Sequence, residues 1–319
     1  MPGLEHFYAW LQKIADSIIE KAKNVTLPFF DGVPLYNVSL FFWRSLVNGA
    51  LAPRASAIAF SFFLALFPAI IFLFTLIPYI PIRNFQTQLF ELIQSIVPSS
   101  TFETIEDTVT DIITRPRGDL LSLGFFLSLI FSTNGIAAIM TAFDATVHSI
   151  NRRTWLGQRF ISIVLLLILW VLLTLAILLI TGGQAALNYL VTHDMLRDSF
   201  TYYLLTIGKW VIIVALFFFA YSFLYYLAPA KKTKWRFISA GGSLATVLSI
   251  ITLVGFSYYI SNFGQYNKLY GSIGTLMVIL LLMYFLSIVL LVGFELNASI
   301  YQAHQHTSNN GLHPQIRKE

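Results

Sequence analysis

Two apolar runs near the C-terminal end constrain this chain most. The first covers Phe237 to Ser261 and is rich in small residues. The second covers Gly271 to Ser299, and only a short polar turn, Asn262 to Lys268, separates the two. A bilayer core takes about 20 apolar residues per helix, and a helix that is apolar on every face belongs in lipid or deep inside a large protein. The pair therefore reads as a transmembrane hairpin. It is entered through a basic step, Lys231, Lys232, Lys234 and Arg236. Composition agrees: 57% of the 319 residues are hydrophobic and 11% are charged, against about a quarter charged in soluble domains. No cysteine is present, which removes disulfides, thiolate nucleophiles, zinc fingers and iron–sulfur clusters from consideration.

The same criterion predicts an all-α integral membrane protein with six spans, at about 55–78, 120–143, 160–181, 206–227, 237–261 and 271–299. Residues 1–54 read as interfacial amphipathic helices, the first of them along Met1 to Lys23, and no cleavable signal peptide is visible there. Tyr36 to Asn48, with Trp43 and Arg44, has an interfacial composition. The loop 81–119 reads as an acidic extracytoplasmic helical hairpin, and 301–319 as a polar disordered tail. Pro68 interrupts the first span, where it removes a backbone hydrogen bond and kinks the helix. Gly182-Gly183 is expected to end the third.

Lys and Arg concentrate in alternate loops: Lys13, Lys21, Lys23, Arg44 and Arg54, then Arg152, Arg153 and Arg159, then the 231–236 step and Arg317 with Lys318. By the positive-inside rule both termini face the cytoplasm.

Few residues are suited to chemistry. Glu295 is a carboxylate inside an apolar run, where an ionised group must be paired or wetted. Asp144 closes the second span, and by count Arg54, Arg152, Arg153, Arg159 and Arg236 share its depth. These charges read either as an ion-pair belt that fixes helix depth or as a vestibule for an anionic headgroup. Asn134, with Ser132 and Thr133, marks a polar patch midway through the second span and serves as helix glue or as a path, with the Pro68 kink as a neighbour. Ala240, Gly241, Gly242, Gly271 and Gly274 permit close helix packing. The six histidines are scattered, His304-Gln305-His306 is a weak ligand pair, and neither a P-loop nor a nucleotide-binding glycine motif occurs. No cofactor, metal or nucleic-acid partner is expected, membrane lipids being the expected partners.

Four patches together carry a resemblance. They are Ala55 to Ala69; Ala142-Phe143-Asp144 leading to Arg152, Arg153 and Arg159; Trp235-Arg236 followed by Ala240-Gly241-Gly242; and Tyr270-Gly271-Ser272 with Gly293-Phe294-Glu295-Leu296-Asn297. In this order they resemble the YihY/virulence factor BrkB family of bacterial inner-membrane proteins, also labelled ribonuclease BN. The family pattern usually has Asn where this chain has Asp144 and Ala where it has Phe294. The resemblance implies a multi-pass protein of the bacterial inner membrane, linked to envelope lipid handling. The expected function is transport or flipping of an envelope lipid or other amphiphile. A non-transporting membrane scaffold is the alternative, and a membrane-bound ribonuclease is disfavoured because too few carboxylates or histidines converge.

Overall fold

The structure is a computed structural model. It describes residues 20–27, 29–79, 115–146, 153–192, 198–230, 237–262 and 266–312, with Lys13, Ser17, Thr87, Phe90, Glu91, Thr110 and Asp111. Its principal helices are α1 (Leu35–Asn48), α2 (Leu51–Leu76), α3 (Gly118–Thr146), α4 (Trp155–Thr192), α5 (Asp198–Leu227), α6 (Ala240–Asn262) and α7 (Tyr266–Leu312). A 3-10 turn, Ile77–Tyr79, ends α2. No strand occurs among the described residues. Among the described residues six helices, α2 to α7, are long and apolar enough to cross a membrane. No more than a third of the most apolar stretch of any of them is buried, down to 12% in α4. The large exposed side chains of α4, among them Trp170, Val171 and Leu178, form a surface that water would not tolerate and lipid does.

The six spans form an all-α ring. Helices consecutive in sequence are neighbours in space from α2 through α7, and α7 closes the circle against α2. Glycines set the closest approaches. A Cβ at Gly124 would lie 3.1 Å from the Phe72 backbone, and one at Gly135 would lie 3.0 Å from the Phe62 ring, so α2 and α3 pack tightly along their length. At the α6–α7 crossing a Cβ on Gly241 would fall 2.0 Å from the Gly293 carbonyl oxygen. Backbone meets backbone there, as small residues allow in membranes.

Packing is concentrated toward one end of the ring, the end that carries Glu295. On α3 the buried positions are Gly124 and then a dense set from Thr133 to Thr146. On α2 they stop at Pro68. On α7 no described residue between Leu276 and Leu286 is buried, whereas Leu290, Leu291, Phe294 and Glu295 all are. The core at this end is aromatic. Phe143 and Phe294 stack with centroids 3.8 Å apart and planes 3° from parallel, and Tyr225 lies 5.7 Å from Phe143. A second, smaller cluster, Phe30, Val33, Val38, Ile300 and Ala303, fixes α1 and the segment before it against the end of α7.

Several helix limits differ from the sequence reading. α4 runs through Gly182-Gly183 to Thr192, because a glycine pair in a long apolar run lowers helix propensity without supplying a stop. α5 begins at Asp198 and α7 at Tyr266, both earlier than their apolar runs, since polar residues extend a helix once it has left the membrane. The supposed disordered tail is helical as far as Leu312; Ile300 and Ala303 find a packed partner in the α1 region, which hydropathy does not register. α2 is a continuous helix with Pro68 buried inside it. Pro68 also falls between the Phe62–Gly135 and Phe72–Gly124 contacts, so it lies about 9 Å along the helix from the level of Asn134 rather than beside it. Most of the expected N-terminal helix and of the 81–119 hairpin lies outside the described residues.

Candidate functional site: a buried charge cluster and a mid-span arginine

The turn from α1 to α2 builds the first half of the charge cluster. Ala50 adopts a left-handed conformation (φ 48°), an uncommon choice for a residue with a Cβ. Pro53 then sits in the first turn of α2, where its missing N–H costs nothing. This sharp reversal puts Ser45, near the end of α1, and Arg54, in the first turn of α2, on the same target. Arg54 braces the turn itself, donating from Nη1 to the Gly49 carbonyl at 2.7 Å.

The target is Glu295, fully buried on α7. Its Oε1 accepts from Arg54 Nη1 at 2.9 Å and from Thr146 Oγ1 at 2.7 Å. Its Oε2 accepts from Ser45 Oγ. Arg54 Nη2 in turn donates to Thr146 Oγ1. Four elements, α1, α2, α3 and α7, are thus tied through one carboxylate. Burial of an ion pair costs desolvation, and only such additional hydrogen bonds make it tolerable. One atom is left over: Arg54 Nε is buried without a partner among the described residues.

Asp144 and Arg153 do different work. The Asp144 carboxylate accepts the Ala230 N–H at 2.9 Å. Arg153 donates to the carbonyls of Leu227, Ala228 and Pro229 at 3.1, 2.9 and 2.8 Å, satisfying the otherwise orphaned C-terminal carbonyls of α5. Burial pulls the Arg153 guanidinium below its ordinary pKa, and the Asp144 charge nearby opposes the shift. Arg152 and Arg236, both expected in this belt, lie outside the described residues.

Arg159 departs from the belt altogether. From the second turn of α4 it reaches inward along the span, and its Nη1 donates to Thr133 Oγ1 and, at 3.0 Å, to Asn134 Oδ1. The expected polar patch is therefore one partner of a basic side chain that had been assigned to the interface. Thr133 is buried and Asn134 exposed.

Four further contacts had no sequence signal beyond residue type. Asn297 Oδ1 accepts the Gly241 N–H at 2.8 Å, and Ser239 Oγ accepts the Gly242 N–H at 3.1 Å, so the first amides of α6 are capped partly by its own N-cap serine and partly by α7. Asn297 Nδ2 donates to Ser239 Oγ at 3.0 Å and joins the two caps. Tyr225 Oη donates to the Leu290 carbonyl at 2.8 Å.

Three cavities lie around the ring. One of about 670 Å³ at the Glu295 end is lined by Phe29, Asp31, Ser239, Asn297, Tyr301 and His304. One of about 590 Å³ between α2 and α7 includes Phe60, Met277 and Tyr284. One of about 640 Å³ between α5 and α6 includes Trp210 and Phe218. Neither Glu295 nor Asn134 lines any of them. Among the described residues no three His, Asp or Glu side chains are placed to hold a metal ion.

These features define a polytopic membrane protein: a ring of six apolar helices, joined at one end by aromatic stacking and a buried ion pair. The chain belongs to the virulence factor BrkB family, whose model matches residues 42–316. It is 28% identical to the putative ribonuclease-like protein YfkH of Bacillus subtilis over 82% of this chain and 94% of that one. It is 27% identical to the UPF0761 membrane protein VSAL_I2938 of Aliivibrio salmonicida over 83% and 84% of the two chains. It is 26% identical to the UPF0761 membrane protein IL2447 of Idiomarina loihiensis over 67% and 73%. No solved structure matches the chain.

Proposed function

We propose that this protein moves an envelope lipid or similar amphiphile across a bacterial cytoplasmic (inner) membrane. The observation that carries this reading is the uneven packing of the ring. Leu290, Leu291, Phe294 and Glu295 are buried at one end of α7, while none of the described residues from Leu276 to Leu286 is. A last span packed tightly at the Glu295 end and loosely from Leu276 to Leu286, with Gly274 buried beyond, fits one state in an alternating-access cycle. In this reading the Glu295 end faces the cytoplasm, together with both chain termini, in keeping with the Lys and Arg of the 13–54, 152–159 and 231–236 segments. The Arg54–Glu295 pair is then the lock of the closed end, not a headgroup site: its carboxylate is fully buried and already bonded by three side chains.

That same saturation favours a second reading, a non-transporting scaffold in which the cluster only fixes helix positions. Reconstitution separates the two. Full-length protein in vesicles carrying a fluorescent lipid analogue should expose inner-leaflet label to a membrane-impermeant quencher faster than protein-free vesicles do. Equal rates would leave the scaffold. A nuclease role has less behind it. One relative bears a ribonuclease-like name, and we assign this chain no catalytic residue.

A further inference from the structure

Arg159 is unlike the other two structurally placed arginines of the ring. Arg54 is ion-paired with Glu295, and Arg153, bonded to the carbonyls at the end of α5, has the Asp144 charge nearby. Among the described residues Arg159 has no carboxylate partner, and the ion pairs there involve Arg54, Arg115 and Arg117. Its two hydrogen bonds, to Thr133 and Asn134, both leave from Nη1. Nε and Nη2 make none with the described residues. Its carbon lies 5.6 Å from the centre of the Trp155 ring.

The location makes this arrangement unusual. Asn134 is about 18 Å along α3 from Thr146, at 1.5 Å per residue, which is near the middle of a core about 30 Å thick. Thr133, Gly135 and Ile136 beside it are buried, while Asn134 shares its exposed face with Leu123, Ile130 and Thr141. At 100° per residue that face points away from the buried one, so the polar pair opens outward at the α3–α4 seam. Exposed apolar side chains surround it: Ile130 and Phe126 on α3, Leu156 and Phe160 on α4. A guanidinium without a counter-charge is costly at this depth, and residues of this kind inside spans mark paths for charged ligands. What the seam offers is donors alone. Arg159 presents Nε and Nη2 as a fork that matches phosphate oxygens, and the amide nitrogen of Asn134, whose Oδ1 is engaged, makes no hydrogen bond with the described residues.

We propose that the α3–α4 seam at Arg159 and Asn134 binds the phosphate of an anionic lipid, with the acyl chains along the apolar side chains flanking it. This rests on the reading of the protein as a carrier of amphiphiles, and it names the polar group that the carrier recognises: a phosphate held at the outer side of the α3–α4 seam, its chains in the bilayer.

The test is lipid retention by the full-length detergent-solubilised protein, measured by native mass spectrometry. Phosphatidylglycerol is compared with diacylglycerol of the same chains, and inorganic phosphate serves as competitor. Wild-type protein should prefer phosphatidylglycerol about tenfold, the scale of one charge-assisted bidentate contact. Arg159→Gln should abolish the preference, and Arg159→Lys, which keeps the charge and loses the fork, should retain part of it. Asn134→Leu alters an exposed position that lipid tolerates and should lower the preference about threefold; it carries the test if Arg159→Gln does not fold. An unchanged preference in folded Arg159→Gln, or in Asn134→Leu, overturns the site. Displacement of the lipid by millimolar inorganic phosphate overturns its assignment to a lipid and gives it to the free anion. The two proposals fail separately: selective retention without accelerated lipid exposure in vesicles removes transport and leaves the site, whereas accelerated exposure with an unaltered preference in Arg159→Gln removes the site and leaves transport.

Discussion

Arg54 and Glu295 stand 241 positions apart in the chain and meet at 2.9 Å, with the carboxylate fully buried and the arginine nearly so. The contact joins the first span to the last and so closes the ring. Ser45 and Thr146 complete it from α1 and α3. Replacing Glu295 by Gln leaves a buried guanidinium without its counter-charge. The expected loss is about 3 kcal/mol of stability, read as a lower midpoint in thermal unfolding in detergent. The double replacement Arg54→Met with Glu295→Met should recover most of that loss, because no lone charge remains. A double variant no more stable than Glu295→Gln would mean that the pair is not the source of the effect.

The α6–α7 crossing makes an opposite pair of predictions at two glycines of the same helix. Gly241→Ala would push a methyl group to 2.0 Å from the Gly293 carbonyl oxygen, and overpacking of this kind costs about 3 kcal/mol. Gly255→Ala meets nothing within 4 Å and should be neutral or stabilising by up to about 1 kcal/mol, through helix propensity. Detergent-unfolding midpoints of the two variants, measured side by side, check both signs.

Asn297 holds the start of α6 from α7. Asn297→Ala strands the Gly241 N–H and should cost about 2 kcal/mol. Asn297→Asp keeps the acceptor and loses only the donor to Ser239, so it should be milder above the carboxylate's titration range. Hydrogen exchange at the first amides of α6 should rise in the alanine variant and far less in the aspartate one.

Phe143 and Phe294 stack between α3 and α7 at the Glu295 end, face to face at 3.8 Å. Truncating Phe294 to Ala should destabilise by about 3 to 5 kcal/mol through the cavity left behind. A double-mutant cycle with Phe143→Leu and Phe294→Leu should show a coupling of about 1 kcal/mol. Additive effects would reduce the stack to two independently buried rings.

Orientation is checked by single cysteines, since the native chain has none to interfere. Gln302→Cys, on the exposed surface of α7 beyond Glu295, should react with an impermeant maleimide only after the cells are opened. Thr192→Cys, at the far end of α4, should react in intact spheroplasts. The reverse pattern would invert the proposed sidedness.

Much of the fold was legible because hydropathy is a local sum. Each span announces itself over about 20 residues whatever its neighbours do. Glu295 was legible for a related reason, as a carboxylate within an apolar helix has to be accounted for. Its partners were not. Ser45 and Thr146 are ordinary hydroxyl residues in their own segments, and nothing local says that they converge on it. Arg159 shows the opposite failure. It reads as one more basic residue flanking a span, yet its long side chain reaches back along α4 to Asn134. The helical extension of α7 to Leu312 was missed because its packing partner, the Phe30 to Val38 segment, lies far away in sequence.

The chain alone thus determined that lipid is its solvent and how many times it crosses, which depend on the number and order of apolar residues, and which family it resembles, which depends on four short patches taken in order. Tertiary structure decided which charges are paired and which find only neutral partners among the described residues. That outcome depends on how each helix is rotated about its own axis against its neighbours. Helices apolar on nearly every face carry no strong stripe to fix that rotation. Glycine contacts, caps and the Glu295 cluster fix it instead, between residues that only the folded ring brings together.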